Sequence, residues 1–278
     1  MSYPDASGPE VYGRILDAAL AAEENGFDSL WVPDHLAQNA VGGGPRMPLL
    51  ESVALLGALA AKTRRTHLGM LVAGVTYRNP TLLAKSITAI DAISGGRAVM
   101  GIGAAWDADE HTRYGFAFPP VAERMQRLEE ALIVIKGMLN EETPSYAGRH
   151  YAVREGYNFP RPAGRIPILV AGGGERRTLQ LVARHADAAN FGGDIDTVKR
   201  KLDVLARHCA AIGRDPSTLV KTVIHFLEGS ADQVVAAVGE RLEAGCDGVI
   251  LLARTPHEAG RVADVGNALR RALGDGTA

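Results

Sequence analysis

Apolar residues along the chain follow two periods that alternate. Short, nearly continuous apolar runs fall at about 27–32, 66–74, 97–103, 166–171, 186–191, 219–227 and 247–253. Runs of this length that show no polar face read as strands buried on both sides. Between them, apolar residues recur at helical spacing over about 11–25, 51–62, 80–93, 120–139, 175–185, 196–212, 231–244 and 256–273. Val234, Val235, Val238 and Leu242 show that spacing, which lays one apolar stripe along a helix. Strict alternation predicts parallel strands joined by helical crossovers. The expected class is α/β, and the expected architecture is a (β/α)8 TIM barrel forming one domain over residues 1–278. Seven strands and eight helices are predicted, so one strand is lacking. It would precede the helix near Val11. The segment Met1–Glu10 (MSYPDASGPE) holds Pro4, Pro9, Gly8 and Asp5, which do not suit a barrel strand. The expectation is a barrel whose first strand is missing from this chain.

The alternation is interrupted once. No core strand is predicted between Ala104 and Arg165. This insertion contains a helix over Val121–Leu139 with a charged face from Glu123, Arg127 and Glu130. It continues into Pro144–Tyr151, which reads as a small hairpin around Gly148. A long insertion after a barrel strand is expected to serve as a lid or substrate wall, the bland alternative being surface decoration.

Composition narrows the function classes. The chain has 278 residues, 46% hydrophobic and 22% charged, with a formal net charge of −2. This balance carries no nucleic-acid footprint and no polybasic membrane patch. Cys209 and Cys246 are too few and too far apart in the chain for a disulfide framework or a metal cluster. They read as inert core thiols of a reducing cytoplasm. Apolar runs such as Gly248–Ala253 are far too short to span a bilayer, and Met1–Glu10 has neither the basic nor the apolar region of a secretory signal.

Candidate chemistry gathers where strands end, which in a parallel barrel is the catalytic face. The stretch Phe27–His35 (FDSLWVPDH) is an apolar strand running into Asp34 and His35. A histidine there can exchange a proton near neutral pH, and a neighbouring carboxylate can orient it or stabilise its charge. The competing reading is a polar loop in which Asp34 caps the next turn. Gly101-Ile102-Gly103-Ala104-Ala105-Trp106 begins like a dinucleotide fingerprint but has Trp106 where the third glycine should stand, so that reading is rejected. The remaining readings are a small-residue floor for a flat ring, or glycines that let strands pack closely. Gly172-Gly173-Gly174 leads from a strand into a helix, where free N–H groups suit a phosphate or carboxylate. Arg176 and Arg177 add charge, and Glu175 opposes it. Signatures of a serine hydrolase, a zinc protease and a Schiff-base lysine at a strand end are absent. One acid/base pair, a small-residue floor and an anion cradle fit a phosphate-bearing ring cofactor better than hydrolysis.

Taken together, these residues resemble the bacterial luciferase-like superfamily, and within it the actinobacterial oxidoreductases that depend on the deazaflavin coenzyme F420. The stretches that carry the resemblance are Glu23–Leu36, Leu68–Pro80, Asp91–Trp106, Arg124–Leu132, Pro144–Tyr151 and Pro167–Phe191. The resemblance implies a barrel holding an isoalloxazine-like ring at the C-terminal face, with Asp34 and His35 beside the ring and His35 exchanging the proton. It implies a non-prolyl cis peptide behind the ring near Leu71–Val72. It places Ala104, Ala105 and Trp106 along the ring edge, and Gly172, Gly173, Gly174, Phe191 and Gly192 on the phosphate side. The implied cofactor is coenzyme F420, with FMN as the alternative, and no metal is implied. The implied activity is hydride transfer between F420 and a small organic substrate. The alternatives are an FMN-dependent luciferase-like monooxygenase and a cofactor-free barrel acting as a binding subunit. The expected partners are a small-molecule substrate and a second copy in a homodimer, with no nucleic acid and no membrane. One departure bears on the substrate: Trp106 stands where the sugar-phosphate dehydrogenases of this group carry an acidic proton donor, which argues against a sugar-phosphate substrate.

Overall fold

A computed structural model describes residues 6–39, 42–253 and 259–274. Helix α1 (Gly8–Glu24) opens with a capping box, Ser7 reciprocally bonded to Glu10. It is followed by β1 (Ser29–Val32), α2 (Ser52–Lys62), β2 (His67–Met70), β3 (Ala73–Gly74), α3 (Pro80–Ser94) and β4 (Ala98–Gly103). The insertion then supplies α4 (Ala108–Tyr114), α5 (Val121–Asn140) and the hairpin strands β5 (Tyr146–Ala147) and β6 (Ala152–Val153). The alternation resumes with β7 (Ile168–Ala171), α6 (Thr178–His185), β8 (Ala188–Phe191), α7 (Ile195–Ala210), β9 (Val220–Phe226), α8 (Ala231–Glu243), β10 (Gly248–Leu252) and α9 (Ala259–Leu273).

The sheet runs β1-β2-β4-β7-β8-β9-β10, every neighbouring pair parallel, with β3 continuing β2 alongside β4. This is the parallel α/β sheet that the alternation predicts. Among the described residues no ladder joins β1 to β10. Gly8–Glu10, part of the segment judged unsuited to a strand, opens α1, while residues 1–5 lie outside the described residues. No helix of the described residues is long and apolar enough to cross a membrane. Cys209 and Cys246 are buried and free.

The run 66–74 carries a non-prolyl cis peptide at Leu71–Val72, as the resemblance implies, and is divided there into β2 and β3. Two elements depart from the sequence reading. The helix expected from residue 175 begins at Thr178; residues 175–177 form a turn that the Leu179 N–H closes onto the Gly174 carbonyl (3.1 Å), and Glu175 pairs with Arg200 (2.9 Å). The polar stretch after Trp106 forms α4, where Asp107 caps the Glu110 N–H (3.0 Å) and Gly115, in the left-handed region at φ 74°, ends the helix. The hairpin forms as expected around Gly148, and Glu130 fixes it by accepting the N–H groups of Arg149, His150 and Tyr151.

The core lies between sheet and helices, around Leu56, Met70, Ile87, Met100, Leu132, Ile168 and Phe191. Gly101 belongs to that packing: a Cβ there would stand 1.9 Å from the Met70 carbonyl oxygen. Of the two readings left open for it, close strand packing accounts for the residue. At the opposite end of the strands from the candidate site, Glu23 is buried and accepts the N–H groups of Arg64, Arg65 and Thr66. These bonds outweigh the effect of burial, which alone would raise its pKa, and hold the carboxyl at about 2.

Candidate functional site

His35 follows the C-terminal end of β1, Ala104–Trp106 that of β4, Gly172–Gly174 that of β7 and Gly192 that of β8. Parallel strands share one direction, so these segments meet at one face of the sheet. Asp34 and His35 are neighbours in sequence but face different partners. Asp34 is buried and accepts from the Ser52 hydroxyl (2.6 Å), the Arg78 guanidinium (2.8 Å) and the Gly74 N–H (3.2 Å). It ties the β1 loop to α2 and to the end of β3. The expectation that Asp34 orients His35 therefore gives way, since its oxygens are taken by a cation and two other donors.

The partner of His35 is Glu110 of α4, with Nδ1 2.8 Å from Oε2. Glu110 is buried and accepts four donors: the Leu36 N–H (2.6 Å) and Ala37 N–H (3.1 Å) on Oε1, and His35 Nδ1 and the Tyr77 hydroxyl on Oε2. Burial would raise its pKa, but hydrogen bonds from Tyr77, His35, Ala37 and Leu36 prevail and hold it below the usual carboxylate range. An ionised carboxylate can only accept, so His35 Nδ1 carries a hydrogen. In the neutral ring Nε2 is then the basic nitrogen, and it makes none of the described hydrogen bonds. Tyr77 is pushed well up by burial and by the charge of Glu110, so it stays a phenol and a donor.

Packing supports this pair on two sides. His111, fully buried, stacks on Tyr77 at 4.3 Å, donates from Nδ1 to the Asp107 carbonyl (2.6 Å) and accepts the Thr76 hydroxyl on Nε2 (2.6 Å). Trp106 is 64% exposed and meets the His35 ring edge-on at 5.5 Å. It forms an aromatic wall open to solvent beside the free nitrogen. Arg124 donates to the carbonyls of Ala104 and Ala105, fixing the segment in which Ala105 adopts φ 58°. Asp107, His35 and Glu110 bring potential ligand atoms within 4.8 Å of one another, but both oxygens of Glu110 are already held by four donors.

A second group lies at the ends of β7 and β8. Gly172 has φ 140°, a backbone that favours glycine. A Cβ on Gly173 would meet the Lys201 ammonium at 2.9 Å. Lys201 comes from α7, is buried, and donates to the Gly192 carbonyl at 2.6 Å. Burial lowers its pKa. A buried ammonium with one described carbonyl partner and no described ion pair retains N–H capacity for an anion. The phosphate-bearing group proposed from sequence fits here: open glycine backbone, the first turn of α6 and one buried cation. Phe191 is the exception among the predicted residues. Its ring is buried in the core, so only its main chain is available at this face.

Sequence reading missed Glu110, Tyr77, His111, Arg124 and Lys201. Asp107 four residues before His111 and eight before Gly115 is a helix-start and helix-stop signal that could have placed Glu110 on α4. Nothing local marks Lys201, which reaches the site only because α7 packs beneath the β8 end.

The family model for luciferase-like monooxygenases matches residues 2–272. An F420-dependent glucose-6-phosphate dehydrogenase of Kineococcus radiotolerans is 36% identical over 165 residues, 58% of this chain and 47% of that protein. The enzyme of the same description from Microbacterium testaceum is 34% identical over 192 residues, 68% of this chain and 56% of that protein. The chain thus spans about half the length of these curated relatives. Among solved structures, an F420-dependent secondary alcohol dehydrogenase in complex with an F420–acetone adduct superposes with a TM-score of 0.83 at 16% identity, covering 93% of this chain and 95% of that one. At that identity the likeness shows a shared fold.

Proposed function

Because the chain belongs to the luciferase-like monooxygenase family, we propose that it is an oxidoreductase that moves a hydride between coenzyme F420 and a small organic substrate. The observation that carries this reading is the His35–Glu110 pair, with Nδ1 committed to the carboxylate and Nε2 free beside the exposed ring of Trp106. F420-dependent dehydrogenases among the relatives support the cofactor. When bound, the deazaflavin ring accepts or returns a hydride and does not activate oxygen. Gly172, Gly173, Gly174, Gly192 and Lys201 would hold its phosphate, while Leu71, Val72, Ala104 and Ala105 would line its ring.

The residues supply the proton side of the reaction. In the oxidative direction His35 Nε2 takes the hydroxyl proton while the carbon gives up its hydride with the bonding pair. In the reductive direction the imidazolium returns that proton to the substrate oxygen. Glu110 stabilises the imidazolium and holds its tautomer. Trp106 walls the substrate with an apolar face, which suits an uncharged alcohol or carbonyl compound better than a sugar phosphate. The reading extends to a cytoplasmic homodimer and to a barrel lacking its first strand, since seven core strands follow one another and β1 and β10 do not pair among the described residues.

Titration tests it. Trp31 and Trp106 are the only tryptophans, so F420 should quench fluorescence saturably and FMN should not. Quenching by FMN alone would replace the reading with a monooxygenase, and quenching by neither would leave a cofactor-free barrel. In the active protein His35→Ala should lower turnover by about a hundredfold or more with cofactor affinity nearly intact.

A further inference from the structure

His35 does not have Glu110 Oε2 to itself. Its Nδ1–H donates to that oxygen at 2.8 Å, and the Tyr77 hydroxyl donates to the same atom. Leu36 and Ala37 hold Oε1 instead. Behind Tyr77 the donors line up in one direction. The Asp107 carbonyl can only accept, so His111 Nδ1 carries the ring hydrogen (2.6 Å) and Nε2 accepts the Thr76 hydroxyl (2.6 Å). The Tyr77 oxygen lies 3.2 Å from the same Nδ1 and shares that N–H with the carbonyl. It is therefore an acceptor towards His111, and its own hydrogen goes to Glu110. Thr76, His111 and Tyr77 thus form a chain whose hydrogens all run towards Oε2, each bond polarising the next. Packing holds the phenol there: its ring stacks on His111 at 4.3 Å and meets Phe116 edge-on at 5.2 Å.

A carboxylate oxygen has a limited charge to offer, and a donor that draws on it leaves less for the next. Burial raises the Glu110 pKa, and of the bonds that lower it the one from Tyr77 is the largest. We infer that Tyr77 is a positioning residue that sets the proton affinity of His35 Nε2 through the Glu110 oxygen the two residues share. A proton on Nε2 is stabilised by the negative charge held against Nδ1 across the ring. Charge drawn from Oε2 by Tyr77 therefore makes the imidazolium a stronger acid and the neutral ring a weaker base. The other charged groups at this place are Asp107, whose carboxylate comes within 4.8 Å of His35 and Glu110, and Asp34, which is paired with Arg78 (2.8 Å). Neither carboxylate is hydrogen-bonded to the Tyr77 hydroxyl, so a change confined to the phenol leaves them in place. The inference names what tunes the base in the hydride-transfer reading and rests on that reading for the rate alone.

The test follows the His35 ring by nitrogen NMR against pH in the full chain without cofactor, beside the pH dependence of kcat/KM with F420. Tyr77→Phe keeps both ring contacts and removes the hydroxyl, and the three remaining donors keep Glu110 an ionised acceptor. His35 should then take up its proton at a pH higher than in the parent by about 0.5–1 unit, about three- to tenfold in affinity. The rate profile should move up by the same amount: the loss of oxidative turnover on acidification and the loss of reductive turnover on alkalinisation. A ring-fluorinated tyrosine in place of Tyr77 is a more acidic phenol. Burial and the charge of Glu110 keep it protonated, so it donates more strongly and should move the His35 midpoint down. A Tyr77 that only packs predicts no such reversal of sign. An unchanged or lowered midpoint in Tyr77→Phe, or an unchanged or raised one in the fluorinated protein, would overturn the inference, and the fluorinated protein decides alone should Tyr77→Phe fail to fold. Midpoints that shift as expected in a protein with no F420-dependent turnover would uphold it and count against the hydride-transfer reading instead.

Discussion

The interaction between His35 and Glu110 can be tested by replacing Glu110 with Gln. The side chain keeps its size and can still accept the Leu36 and Ala37 N–H groups on its carbonyl oxygen (2.6 and 3.1 Å in the parent), so the loop that carries His35 stays anchored. Its amide –NH₂ then faces His35 Nδ1 and the Tyr77 hydroxyl. Nδ1 must accept, the hydrogen moves to Nε2, and the basic nitrogen no longer faces the substrate. The negative charge that stabilises the imidazolium is also gone. A hydrogen bond to a charged group contributes about 1.5–3 kcal/mol, and each 1.36 kcal/mol is tenfold in rate. Glu110→Gln should therefore lower turnover by about 10- to 150-fold. F420 affinity by fluorescence titration should change by less than about threefold, since no cofactor contact is altered. Nitrogen NMR of the imidazole reports the tautomer directly and should show Nδ1–H in the parent and Nε2–H in the variant. In a double-mutant cycle the loss should not add to that of His35→Ala, because both remove one unit. Full additivity, or an unchanged tautomer with reduced turnover, would refute the reasoning and leave Glu110 as a structural anchor.

Gly173→Asp places a carboxylate about 2.9 Å from the Lys201 ammonium; it should neutralise the cation, fill the cradle and weaken F420 binding more than tenfold, about 1.4 kcal/mol, and unchanged affinity in the titration would put the phosphate elsewhere. Lys201→Met keeps the apolar stem and removes the charge. It should weaken cofactor binding while leaving the thermal midpoint equal or higher, because the buried ammonium costs desolvation that one carbonyl bond only partly offsets. Glu23, depressed from 4.5 to about 2, contributes stability that is present above its unfolded pKa and is lost as pH falls from about 4.5 towards 2. The loss should reach about 3 kcal/mol, and Glu23→Gln should flatten that part of the urea-unfolding profile.

The alternation of apolar runs and helical stripes was enough to determine the parallel α/β plan, because burial on both faces leaves a strand no polar positions. The glycine runs, the strand-end location of His35 and the site of the hairpin were legible for the same reason: each is a local consequence of backbone freedom or of a strand's end. The partners of the site were not legible. Asp34 adjoins His35 in the chain, yet successive side chains of extended backbone point apart, and Asp34 turns to Arg78 and Ser52 while His35 turns to Glu110, 75 residues on. Lys201 and the Gly173 cradle likewise meet across two strand–helix units. Gly101, equally readable as ring floor or packing residue, was decided by the Met70 carbonyl that lies where its Cβ would be. A one-dimensional pattern encodes which faces must be buried; which buried charge answers which donor depends on distances that only the packed helices and the staggered strands set.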